Sequence, residues 1–179
     1  MRFLASELKQ ILCSILILAI AVSGLSLHRL TVFSLPLVLG FFLHEMSHKW
    51  MARRYGFFSV YSWWPPGLLF ALFLGLASGG EVIFAAPGAV VILSSFFSKD
   101  QAGKIALAGP FMNVLLAAIF YPLGSLLGEL ALQGFYINLW LAVFNLLPFP
   151  PLDGYKVFHW SPLLWALVEI PLLSLLFLS

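Results

Sequence analysis

His44-Glu45-Met46-Ser47-His48 lies inside an apolar run that begins near Leu30 and ends at Arg53-Arg54, and this placement constrains the chain more than any other feature. On a helix, residues four apart share a face, so His44 and His48 can converge on one metal ion while Glu45 stays beside it. Zinc suits two imidazoles, and a metal-activated water next to a glutamate is a hydrolytic arrangement. The plainer reading is a pair of buried structural histidines with an incidental glutamate. Three ionisable side chains inside a membrane-length segment are costly, and that cost favours a working site.

Composition sets the class. Of 179 residues, 62% are hydrophobic and 9% charged, against about a quarter charged in an ordinary soluble domain. The mean hydropathy is +1.04. Such a chain reads as an all-α polytopic membrane protein, residues 1–179 forming one domain in the lipid bilayer. A formal charge of +2 is too small to suggest a nucleic-acid partner, and the basic residues cluster at helix ends instead. Cys13 is alone, so the chain forms no internal disulfide.

Apolar runs mark the crossings, since about twenty residues span the hydrocarbon core. They are Ile11–Leu27, Leu30–Ala52, Ile105–Gly128, Leu130–Leu147 and Pro162–Leu178, with a shorter run at Gly67–Leu76. If the amino terminus is cytoplasmic and Gly67–Leu76 does not cross, then Arg2, Lys9, Lys49, Arg53, Arg54, Lys99, Lys104 and Lys156 share the cytoplasmic side, with only Arg29 outside. That bias predicts five crossings and one short re-entrant or interfacial segment, in a multi-pass protein of the cell membrane. The small-residue stretch Ala19-Ile20-Ala21 resembles a signal-peptide cleavage site, but apolar sequence continues to Leu27, which favours an uncleaved helix. Met46, seven residues before Arg53, then lies about 10 Å inside the cytoplasmic boundary at 1.5 Å per residue. Hydrolysis consumes water, so the site must open toward the cytoplasm.

Two histidines leave a catalytic zinc one protein ligand short. Glu7, Glu81, Asp100 and Glu129 sit at helix ends or turns, and Glu169 falls within the last span. Asp153 follows Asn145-Leu146-Leu147-Pro148-Phe149-Pro150-Pro151-Leu152, where three prolines break the helix and let an unwound segment line a cavity. Topology puts it near the face of His48, which makes it the best third ligand. The alternative is an exposed turn aspartate before Gly154.

Taken together, His44-Glu45-x-x-His48, Gly109-Pro110-Phe111-Met112-Asn113 and Asn145-x-x-Pro148-x-Pro150-Pro151-Leu152-Asp153-Gly154 resemble the site-2 protease family of intramembrane zinc metalloproteases. The motifs occur in the family's order and span about residues 30–157. The resemblance implies a three-helix catalytic core and one zinc per chain on His44, His48 and Asp153, with Glu45 as general base and acid. It implies a substrate that is the transmembrane helix of a single-pass membrane protein. Neither a PDZ nor a CBS module is present, and the Gly67–Leu76 insertion resembles what some archaeal members carry. The prenyl-protein proteases, which use a downstream glutamate, would need Glu169. A catalytically inactive zinc-binding protein or an ion carrier would have no use for Glu45.

Asn145 and Asn113 each admit two readings: contact with the substrate backbone or oxyanion, or an interhelical hydrogen bond. For Asn145 the family pattern favours the former. Glu81–Leu93 reads as two short strands around Pro87-Gly88, a membrane-associated β-hairpin or else a re-entrant loop that seals the cavity. As a hairpin it could bind an extended substrate by strand addition, with the amides of Ala89 and Val91 facing the substrate. His28 and His159 have no partners at ligand spacing, and Trp63-Trp64 fits an interfacial aromatic belt.

Overall fold

The computed structural model describes residues 3–82, 87–94 and 97–178. Helix α1 covers Ala5–Ser23, α2 Leu27–Val32 and α3 Ser34–Arg54. Strand β1, Phe58–Trp63, follows, then α4 at Pro65–Ala77 and strand β2 at Gly88–Leu93. Helix α5 runs Lys99–Phe120, passes through a 3₁₀ turn at Tyr121–Leu123 into α6 at Gly124–Leu127, and is followed by α7 at Glu129–Leu146. Helices α8, Asp153–Trp160, and α9, Pro162–Leu178, complete the described chain. By length and apolar composition, three helical stretches qualify to cross a membrane, Ala5–Ser23, Leu27–Arg54 and Lys99–Leu127; Pro65–Ala77 and Pro162–Leu178 are shorter.

Helices α3, α5 and α7 pack against one another as the central layer, with α8 folded onto α5 and α9 onto α7 and α8. Helix α1 covers α3 on the other side and carries α4 on its outer face. One apolar cluster, with Leu18, Val22, Leu37, Phe41, Tyr61 and Leu141, joins α1, α3, β1 and α7. A second unites Ala117 and Phe120 of α5 with Phe135, Leu139 and Val143 of α7, where Leu172 and Leu173 of α9 pack.

The sheet contains a strand not expected from the sequence: β2 pairs antiparallel with β1, from Phe58↔Leu93 to Trp63↔Gly88. Residues 83–86, the first half of the expected hairpin, lie outside the described residues. Trp63 and Gly88 share a rung, so the α4 excursion leaves and returns at one place. By the same pairing, Arg54 and Lys99 end up on one side of the bundle, because β1 begins just after α3 and β2 ends just before α5.

Polar positions on α1 hold this sheet. Glu7, Gln10 and Ser14 recur at helical spacing on one face, and they take the Tyr61 N–H (2.9 Å), the Trp63 N–H (3.1 Å) and the Tyr61 hydroxyl (2.9 Å). Burial pushes the Tyr61 phenol above its usual range, which keeps it a neutral donor to Ser14. Glu7 also pairs with Lys49, which is fully buried on α3. Lys49 is therefore not a boundary charge, and the basic residues that bear on orientation number seven, eight less Lys49, against Arg29.

Candidate metal centre

Histidines 44 and 48 project from the same face of α3 toward α5. The His48 Nδ1 lies 2.7 Å from the carbonyl oxygen of Ile105, which can only accept, so this nitrogen carries the proton and Nε2 is bare. The His44 Nδ1 lies 2.6 Å from the Asn113 Oδ1, and the same reasoning leaves its Nε2 bare. The two Nε2 atoms are 3.0 Å apart. Asp153, the first residue of α8, brings its Oδ2 to 3.2 Å from His44 Nε2 and 3.0 Å from His48 Nε2.

With both imidazoles neutral this is a triangle of three acceptors, and in an apolar bundle it repels itself unless positive charge, a metal ion or an added proton, sits at its centre. Zinc takes such ligands at about 2.0–2.2 Å, which spaces them about 3.3 Å apart in tetrahedral geometry. His44, His48 and Asp153 therefore fit one zinc ion, and they are the metal-binding group found among the described residues. Glu169, the alternative third ligand, is buried on α9 with neither carboxylate oxygen hydrogen-bonded and takes no part in this group.

Glu45 is buried beside the cluster, and its Oε2 accepts the Val90 N–H at 2.9 Å. That bond reverses the expected parity of β2. Tyr61 and Val90 face each other with their amides pointing outward, to Glu7 and Glu45, so the ladder bonds to β1 fall at the neighbouring pairs Val60↔Val91 and Ser62↔Ala89. The amides of Ala89 and Val91 thus face β1, and it is Val90 that faces the metal site.

A cavity of about 580 Å³ opens over the cluster, lined by Glu45, Val90, Asn145, Pro151, Lys156 and apolar side chains including Phe41 and Phe144. Trp64, half exposed, also lines it. Asn145 spends one amide hydrogen on the Leu141 carbonyl (2.8 Å) and retains the other. Asn113, by contrast, is fully buried and its carboxamide is committed to His44, Gly40 and Asn138, so it offers nothing to a substrate. Outside the cluster, His28 faces Glu129 at 3.3 Å and His159 bonds the Tyr155 carbonyl at 2.8 Å. Sequence reasoning missed Asn138, Ile105 and the Val90 amide, two of which act through backbone atoms that no side-chain pattern can signal.

The sequence profile of peptidase family M50 matches residues 32–134, and the chain belongs to that family, the site-2 proteases. It is 42% identical over 182 residues, covering 97% of this chain and 94% of the other, to a protein of Methanocaldococcus jannaschii that carries the provisional name zinc metalloprotease MJ0611. It is 27% identical over 151 residues, 69% of this chain and 65% of the other, to one of Bacillus subtilis provisionally named zinc metalloprotease YwhC. No solved structure matches it significantly.

Gly109 of α5 explains how the histidines fit. A Cβ there would lie 2.6 Å from the His44 Nε2 and against the His48 Nε2 as well. Gly109→Ala therefore puts a methyl group where the ion belongs. Zinc occupancy, one per chain in the parent by metal analysis of the purified protein, is expected to fall by orders of magnitude, as it should in His44→Ala, His48→Ala and Asp153→Ala. Full occupancy in Gly109→Ala would place the ion elsewhere.

Proposed function

We propose that this chain is a zinc endopeptidase that cuts membrane-spanning segments of other membrane proteins. The observation that carries the reading is a buried His44–His48–Asp153 cluster with Glu45 beside it, set between membrane-length helices and next to strand β2, whose Val90 amide points to Glu45. The cavity over the cluster is lined mostly by apolar side chains, which suits a membrane-spanning segment better than a soluble substrate.

Zinc, when bound, supplies a Lewis acid that polarises the scissile carbonyl and makes water acidic. Glu45 takes the proton from the attacking water and returns it to the leaving amide nitrogen. Asn145 donates its remaining amide hydrogen to the carbonyl oxygen as negative charge builds there. A helix cannot be cut while its amides are bonded to one another, so the scissile stretch binds extended along β2. Its carbonyl replaces the Glu45 carboxylate on the Val90 N–H, and the carboxylate is thereby freed for the water. Phe41, Leu141 and Phe144 keep the remainder of the cavity dry.

The rival reading is a zinc-binding membrane protein without proteolytic activity. Glu45→Gln separates the two: it should keep zinc and lose cleavage by a factor of about 10²–10⁴, the worth of a general base. Membrane peptides released by the parent and not by the variant would be read by mass spectrometry, and identical peptide sets would favour the rival.

Strand addition has its own test. Val90→Pro removes the outward amide, so cleavage should fall while the melting temperature is kept; Ala89→Pro and Val91→Pro remove ladder bonds to β1 and should lower the melting temperature. Equal melting losses at all three positions would refute this parity.

The same reading sets the cavity toward the cytoplasm, on the strength of the seven basic residues against Arg29. Cysteine labels beside Arg54 and Lys156 should react from the cytoplasmic side, and reaction from the opposite side would reverse the orientation.

A further inference from the structure

Two asparagines form a continuous chain of hydrogen bonds from α7 to the metal cluster. Asn138 Nδ2 donates to the Gly134 carbonyl at 2.9 Å, and Asn138 Oδ1 accepts from Asn113 Nδ2 at 3.0 Å. Asn113 Nδ2 also donates to the Gly40 carbonyl at 3.1 Å, and Asn113 Oδ1 faces the His44 Nδ1 at 2.6 Å. Both side chains are 0% exposed.

The direction of this chain is not free. Its two ends rest on the carbonyls of Gly134 and Gly40, which can only accept, so each Asn must turn its nitrogen toward a carbonyl. Reversing Asn113 would set its oxygen against the Gly40 carbonyl and against Asn138 Oδ1. Two oxygen–oxygen contacts would replace two hydrogen bonds, in a place without water to compensate. The packing leaves no room for escape either: a Cβ on Gly40 would lie 2.5 Å from Asn138 Oδ1 and 3.3 Å from Asn113 Nδ2. His44 therefore meets a fixed acceptor, which holds its proton on Nδ1, keeps Nε2 bare and sets the plane of the ring.

We infer that Asn138 and Asn113 are positioning residues for the metal site, a relay that sets the tautomer and aim of His44 and so raises zinc affinity. This rests on His44 being a zinc ligand. The bland alternative is interhelical glue: the same bonds tie α3, α5 and α7 together, and their loss would weaken the bundle without touching the metal.

Zinc affinity and stability separate the two on the full chain in detergent. By chelator competition, Asn113→Leu should bind zinc roughly 10–100-fold more weakly, the range for losing a hydrogen-bond partner behind a ligand histidine. Asn138→Leu leaves Asn113 its Gly40 bond and should show a smaller loss in the same direction. Leu139→Ala, next to Asn138 and fully packed, serves as the glue control; it should lower the melting temperature and leave zinc affinity unchanged. Asparagine variants that behave as that control does would overturn the inference. A measurement on the parent covers the case of variants that fail to fold: ¹⁵N spectra of zinc-free protein labelled at histidine should show His44 with its proton on Nδ1. A proton on Nε2 alone, with Nδ1 bare, would overturn it equally. A parent chain that binds no zinc, or a His44→Ala variant that binds it fully, would instead sink the metal-site reading beneath.

Discussion

Three lone pairs aimed at one point in an apolar interior are the constraint from which the rest of this structure follows. As neutral imidazoles the two cannot relieve one another, because each gives its one N–H away, one to Asn113 and one to a backbone carbonyl of α5. The third acceptor comes from a separate element, so α7 must end and the chain must double back before Asp153 can reach α3. Helix α5 can run past the histidines only because Gly109 presents no side chain there. Each of these features is unfavourable or idle without a cation, and together they make sense only with one.

A second polar arrangement keeps the first in place. Glu7 and Lys49 bury opposite charges between α1 and α3, and Glu7 at the same time anchors β1. Removing either partner of such a pair costs about 3–5 kcal/mol, since the other is left charged and buried. The pair stands one residue beyond His48, so α1, the sheet and the metal-bearing turn of α3 form one mechanical unit. The sheet thereby meets Glu45 at a defined height, and this is what brings a backbone amide of β2 onto that carboxylate.

Much of this was legible in the sequence. The His44–His48 spacing, the proline-broken approach to Asp153 and the long apolar runs each reflect a strong local rule, and the structure brings the first two together at about 3 Å. β1 escaped notice because Phe58-Ser59-Val60-Tyr61-Ser62-Trp63 mixes aromatic and polar residues without clean alternation: one side meets α1 through polar atoms, so burial there does not require an apolar side chain. The parity of β2 was reversed for a related reason. A strand's residues alternate, but only its partner decides which set faces inward. Asn138 carries no motif of its own; its part depends on a neighbour 25 positions away in sequence.

The rung that joins Trp63 to Gly88 has a consequence for how this region tolerates change. Everything between those two residues is, in polymer terms, a closed loop hung from a fixed base. The entropy of closing a loop grows only with the logarithm of its length, about 0.6 kcal/mol per doubling. Length between the strands is thus thermodynamically cheap, whereas a one-residue shift within either strand would exchange every inward amide for an outward one. Closure entropy therefore does not limit the length of that excursion; what limits it is the ladder, where no insertion is tolerable, and the face of α4 with Ala71 and Gly75, which an insertion would turn away from α1.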